Sequence, residues 1–193
     1  MKKHLFLTGA SGLGKSELIR EVLGPYLAMA GGFVTEKAVG PDGRVIGHDL
    51  LPTAAAGGVL GFEPLRFMDC TSPAPRTDNE VFRGIAAQLL REAAYYPFSV
   101  LDAFGGFELV IPPFREALAD FLSSEQPCIG VLLPLTEVER LRQSLGLGEK
   151  LTAYAARLHE ALRQDGDTVI LNVRSRNDEV ARRIVRQWAK EFT

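Results

Sequence analysis

Short continuous apolar runs punctuate the chain at residues 5–7, 99–101, 128–133 and 168–173. Each is too brief for a helix and lacks polar alternation, the pattern of a strand buried on both faces. Between them apolar positions recur at helical spacing over residues 16–23, 80–96, 113–123, 136–145, 150–163 and 178–191. Gly24-Pro25 closes the first of these helices, Asp78 or Asn79 caps the second, and Pro97 follows its end. Residues 33–38 and 44–50 are β-rich and flank Gly40-Pro41-Asp42-Gly43, a strong hairpin signal. Residues 52–79 are rich in Gly, Ala and Pro and carry no period, so a long loop is expected there. Strands alternating with helices outside the hairpin predict an α/β fold in three layers. Its sheet is mostly parallel with a β-hairpin insertion, in a single domain spanning residues 1–193.

Composition narrows the class without naming a function. A hydrophobic share of 46% and a charged share of 24% are ordinary for a soluble globular protein. A formal net charge of -2 gives no electrostatic case for nucleic acid. Arg174, Arg176, Arg182, Arg183 and Arg186 cluster late, but Asp178 and Glu179 interrupt them, as on a solvated helix face. Cys70 and Cys128 stand apart without metal-ligand spacing, which fits reduced thiols. The first apolar run is too short for a signal peptide core, and residues 22–34 are too short and too glycine-broken to span a bilayer. A cytoplasmic protein is expected, with no membrane or nucleic-acid partner and with an unidentified protein partner left open.

The chemistry concentrates at the end of the first apolar run. Gly9-Ala10-Ser11-Gly12-Leu13-Gly14-Lys15-Ser16 has the spacing Gly-x-x-x-x-Gly-Lys-Ser between a strand and a helix, the P-loop arrangement for nucleoside triphosphates. The glycines let successive amides turn inward around a phosphate, and the helix start adds unpaired N–H groups. Lys15 is placed to reach the β- and γ-phosphates, and the Ser16 hydroxyl to complete a magnesium shell. Such a site also needs an acid on a neighbouring strand. Asp102 is the candidate, because apolar residues run into it and glycines follow.

Three blocks then resemble the cancer-related nucleoside-triphosphatase family of small P-loop NTPases. They are residues 9–16; Gly32-Phe33-Val34-Thr35-Glu36 with Gly43-Arg44-Val45-Ile46-Gly47-His48-Asp49; and Leu101-Asp102-Ala103-Phe104-Gly105-Gly106-Phe107-Glu108-Leu109. Asn177 after the last strand is a weaker echo. The resemblance implies a RecA-like P-loop fold and magnesium-dependent hydrolysis of ATP, GTP and other nucleoside triphosphates. It places residues 9–16 on phosphates and Asp102 on the metal.

The third block departs from the family pattern Asp-Glu-Ile-Gly-Lys-Met-Glu. Ala103 stands where the family's glutamate would orient the attacking water, and Gly106 replaces its lysine. General-base help is worth about 10²- to 10⁴-fold, so slow turnover is expected. Glu108 either folds back as a substitute base or caps the following segment. Among the arginines, Arg44, Arg76, Arg174 and Arg176 sit where one could neutralise phosphate charge, although a surface role suits each. His48, Phe33 and Trp188 read as structural. The expected function is magnesium-dependent nucleoside-triphosphate hydrolysis carried by Lys15, Asp102 and Glu108. Its alternatives are a nucleotide-binding switch with little turnover and a small-molecule kinase with Arg140 and Arg142 in a lid.

Overall fold

The computed structural model describes residues 2–58 and 61–193. Its strands are β1 (His4–Thr8), β2 (Ala30–Val39), β3 (Val45–Pro52), β4 (Leu65–Asp69), β5 (Arg76–Thr77), β6 (Phe98–Phe104), β7 (Cys128–Leu132) and β8 (Thr168–Asn172). The helices are α1 (Lys15–Leu23), α2 (Thr53–Ala56), α3 (Asn79–Val81), α4 (Ala87–Arg91), α5 (Pro112–Leu122), α6 (Leu135–Ser144), α7 (Lys150–Gln164) and α8 (Glu179–Phe192). The strands form one sheet in the order β5-β4-β3-β2-β6-β7-β1-β8. From β2 through β6, β7 and β1 to β8 every pairing is parallel, whereas β2-β3, β3-β4 and β4-β5 are antiparallel.

The two-residue period of a strand explains why the central runs are apolar throughout. In β1, Leu5 and Leu7 enter the core layer beneath α1 and α8, with Ile19, Val185 and Trp188. Phe6 between them enters the opposite layer, with Phe104, Phe114 and Leu118. Trp188 is fully buried and donates its indole N–H to the Lys3 carbonyl at 3.2 Å. Phe33 is likewise core, packed edge-on against Phe82 and Phe114. Gly32 sits at φ 83° where an added Cβ would lie 2.2 Å from the Val100 carbonyl oxygen. Only glycine lets β2 approach β6 there, and that approach brings the hairpin beside the acid of β6.

Residues 52–79 correct the loop expectation. They contain α2 and the two outer strands β4 and β5, which continue the hairpin into an antiparallel edge. Strand β4 has only five residues, Leu65-Arg66-Phe67-Met68-Asp69, and β5 only two, so neither builds a readable alternation. Val59 and Leu60 of that expected loop lie outside the described residues. The expected helix over 80–96 is also divided. A π-helical segment, Phe82–Ala86, joins α3 to α4, and a 3₁₀ turn follows over Ala93–Tyr95. Asp78 is its cap, accepting the Glu80 amide at 3.0 Å. Among the described residues no helix is long and apolar enough to cross a membrane.

Candidate nucleotide site

Strand β1 ends in the glycine-rich loop, and the loop turns directly into α1. Gly9, Gly12 and Gly14 have φ of 125°, 79° and 76°. A Cβ on Gly9 would lie 2.6 Å from the Val173 carbonyl oxygen, so the loop can pass beside β8 only with glycine there. Gly14 is the N-cap of α1, and no side chain caps that end. The first-turn amides and the positive end of the helix dipole therefore face the loop's interior, an arrangement suited to an anion. Lys15 is nearly buried and donates to the carbonyls of Gly9 at 2.9 Å and Ala10 at 2.7 Å. Burial lowers its pKa, opposed by the charges of Asp102, Glu137 and Glu17. A phosphate would supply the full counter-charge that the two carbonyls only approximate.

Asp102 stands near the end of β6, two strands from β1, and is 2% exposed. Its Oδ1 accepts the Ser16 hydroxyl at 2.8 Å, while Oδ2 is buried with no partner. Desolvation pushes its pKa up to about 6, against the lowering effect of the Ser16 bond. A buried carboxylate oxygen without a donor is costly. Two hard oxygen donors side by side, one lacking a partner, fit a small divalent cation. The next residue, Ala103, donates its amide to Thr35 Oγ1 of β2 at 3.3 Å, which ties the hairpin to the end of β6. Its methyl group contributes cleft wall where the resemblance leads one to expect a carboxylate.

Glu108 is fully desolvated in the loop after β6. Its Oε1 accepts the amides of Gly105 at 2.6 Å and Gly106 at 2.7 Å. Desolvation raises its pKa, and the backbone donors of Gly106, Glu108 and Gly105 oppose that rise. The carboxylate is thus a clamp on the Gly105-Gly106 turn. It also lines the same cleft as Lys15, Ser16 and Asp102.

The cleft is a cavity of about 350 Å³, and its wall joins the hairpin block of the sequence to residues that no motif marked. Thr35, Glu36 and Lys37 enter from β2, and Glu137 and Leu141 from α6. Phe67 and Met68 belong to β4, which no sequence signal had placed near the motif. His48 lines the cleft beside Phe67, ring centroids 6.1 Å apart, and burial lowers its pKa.

Of the arginines, Arg176 reaches the loop, donating Nε to the Gly12 carbonyl at 3.1 Å. Arg44 pairs with Asp42 at the exposed hairpin turn, and Arg76 lies on the outermost strand. The Arg174 amide is bonded to Asp178 at the start of α8. Arg140 and Arg142 pair with Glu137 and Glu139 of their own helix, which suits a helix surface.

Comparison with known proteins bears on the whole of this geometry. A family model described as NTPase matches residues 4–185. The human cancer-related nucleoside-triphosphatase is 32% identical over 147 residues, covering 70% of this chain and 77% of the human one. The bovine homolog, from Bos taurus, is 35% identical over 135 residues, 64% of this chain and 70% of that one. THEP1 from the hyperthermophile Aquifex aeolicus superposes with a TM-score of 0.61 over 94% of this chain and 96% of its own, at 17% identity, and shares the fold. With a family model over residues 4–185 and the human relative at 32% identity, the chain belongs to the cancer-related nucleoside-triphosphatase family of P-loop NTPases.

Proposed function

We propose that the chain binds ATP or GTP with magnesium and hydrolyses it to the diphosphate and phosphate. The observation that carries this reading is the pairing of Ser16 with Asp102, whose second carboxylate oxygen is buried without a donor. The amides of Gly9, Ala10, Ser11, Gly12, Leu13 and Gly14 hold the β- and γ-phosphates, and Lys15 leaves its two carbonyls to neutralise them. Ser16 and Asp102 hold magnesium, which when bound draws charge from the terminal phosphate oxygens. Among the described residues no cluster of three or more His, Cys, Asp and Glu forms a ligand cage. That suits an ion that takes its remaining ligands from phosphate and water.

Glu108 accepts the proton of the attacking water in this reading. Its two amide bonds fix Oε1, and burial makes the carboxylate more basic than an exposed one. Arg176 adds positive charge at the outer edge of the loop. Ala103 favours a second reading, a nucleotide-binding switch with little turnover. In that reading Ala103→Glu gains hydrolysis that the native chain lacks.

Equilibrium binding of ATP and GTP with and without magnesium tests the site. Magnesium should tighten binding to the native protein and lose that effect in Ser16→Ala. Binding that ignores both the ion and the substitution would contradict the assignment.

A further inference from the structure

A second cavity, of about 580 Å³, lies between α5 and α7 and shares no lining residue with the cleft described above. Its residues recur at helical spacing on both helices, with Arg115, Leu118 and Leu122 on α5 and Tyr154, Leu158 and Leu162 on α7. Leu118 and Leu162 are buried, Leu122, Leu158 and Tyr154 are half-buried, and Ala119 and Ala161 beside them are exposed. The apolar surface is therefore an open groove rather than sealed core. From Tyr154 to Asp165 it follows α7 for about 16 Å, at ~1.5 Å per residue.

The two ends of the groove differ in charge. At one end Lys3 and Asp165 offset each other. At the other, Arg115 donates Nη1 to the Leu109 carbonyl at 2.9 Å and lies 4.3 Å from the centroid of the Tyr154 ring. Arg157, one helical turn beyond Tyr154, is exposed and has no hydrogen bond or ion pair among the described residues. Neither arginine meets a carboxylate, and the acids nearest to them in sequence, Glu116 and Glu160, do not line the groove. Guanidinium groups carry five donors in a planar fork, so most of the donor capacity at this end is unused. Small organic ligands are held by apolar walls with a few placed polar groups, in cavities of about 300–1,000 Å³. An apolar groove ending in two unpaired arginines is complementary to a carboxylate with an apolar tail.

The arginine end also borders the turn that carries Glu108. Leu109, the next residue, lines the groove while Glu108 lines the cleft. Leu158 Cδ2 would lie 3.8 Å from a Cβ on Gly105, whose amide Glu108 accepts together with that of Gly106. One turn therefore adjoins both cavities.

We propose that this groove binds a small-molecule carboxylate with an apolar chain of medium length. The carboxylate sits on Arg115 and Arg157, and the chain runs along Leu118, Leu122, Leu158 and Leu162. A carboxylate is a stronger acceptor than a carbonyl. It competes with Leu109 for Arg115, and by that route occupancy shifts the turn carrying Glu108. The site is defined without nucleotide or metal and is tested without either.

Sodium octanoate is titrated into the full chain, with octanol and acetate as probes that lack the charge or the tail. Calorimetry reads affinity, and amide NMR reads Leu109, Gly105 and Gly106. Octanoate should bind saturably and about tenfold or more tighter than octanol, as charge-assisted hydrogen bonds require. Acetate should not saturate the site. Octanoate should move all three amides. Arg157→Gln should weaken octanoate by about tenfold and leave octanol unchanged. Ala161→Trp, which fills the groove from an exposed position on α7, should abolish binding of both. Equal affinity for octanoate and octanol, or octanoate binding indifferent to Arg157→Gln, would overturn the proposal. So would octanoate binding that survives Ala161→Trp or leaves the Leu109 amide unmoved. Saturation with the Gly105 and Gly106 amides unmoved would overturn the link to the turn. A dimer in sedimentation that Ala161→Trp dissociates would give the groove to a second copy of the chain and overturn the small-molecule assignment.

Discussion

The parallel and antiparallel halves of the sheet are built by different rules. In the parallel half, β1, β6 and β7 are buried apolar runs, and β1 and β6 carry the glycine-rich loop and Asp102 at their ends. Beyond the hairpin, β4 and β5 continue the antiparallel part to an edge, and His48 of β3 with Phe67 and Met68 of β4 supplies cleft wall. In the proposed reading the first half holds the phosphate and the metal, through the loop after β1 and Asp102 of β6. The second fixes how much room lies beyond them.

The largest expected effect falls on Glu108, whose loop adjoins both halves. Glu108→Gln keeps a carbonyl oxygen for the Gly105 and Gly106 amides but cannot take a proton. Its kcat for phosphate release should fall by about 10²-fold or more with little change in Tm. Glu108→Ala should lose the same activity and stability as well, since bonds to a charged acceptor are worth about 1.5–3 kcal/mol each. Equal kcat in native and Gln proteins would leave Glu108 as a clamp alone.

Phe82→Ala tests the aromatic wall of the antiparallel half. Phe82 is 1% exposed and touches Phe33, Phe67, Phe107 and Phe114. Chemical denaturation should show a loss of about 3–5 kcal/mol. A loss below about 1 kcal/mol would mean that the wall collapses to fill the gap.

Asp102 gives the parallel half a pH signature in metal-free buffer. Its folded pKa of about 6 lies above the ordinary value of 3.8. Between those values the folded chain holds a proton that the unfolded chain has released, so stability falls as pH rises through the window and levels off above it. Asp102→Asn should flatten that slope and raise neutral-pH stability by about 1–3 kcal/mol. It should also abolish the tightening of nucleotide binding by magnesium. An unchanged slope would show that the buried carboxylate is not its source.

Arg176→Ala should have the smallest effect, because this arginine is exposed and touches only the outer face of the loop. We expect KM for ATP to rise a few-fold, with kcat nearly constant, the loss of a screened charge interaction of about 1 kcal/mol or less. A kcat loss of 10²-fold would instead place Arg176 on the transferring phosphoryl group.

The parallel half was legible because its signals are local. Residues 9–16 carry strand, turn and helix start within one motif, and Asp102 is marked by the apolar run before it. The hairpin was legible from its turn, where Gly40 and Gly43 close the loop. Strand β4 was not, because five residues alternating Leu65, Phe67 and Asp69 with Arg66 and Met68 match no clean period. Its position depends on pairing with β3, a contact the motif does not encode. The same limit applied to Glu108: its spacing allowed base or cap, and the folded chain adds that its carboxylate binds the Gly105 and Gly106 amides and lines the cleft.

The central claim is that Lys15, Ser16 and Asp102 act together on a magnesium nucleotide. Phosphate release from ATP and GTP, measured with and without magnesium in the native protein and in Lys15→Ala, tests it most directly. The account predicts magnesium-dependent release that falls by about 10²-fold or more in the variant, as when a preorganised charge donor is removed. Release that persists in Lys15→Ala, or that does not require the ion, would contradict it.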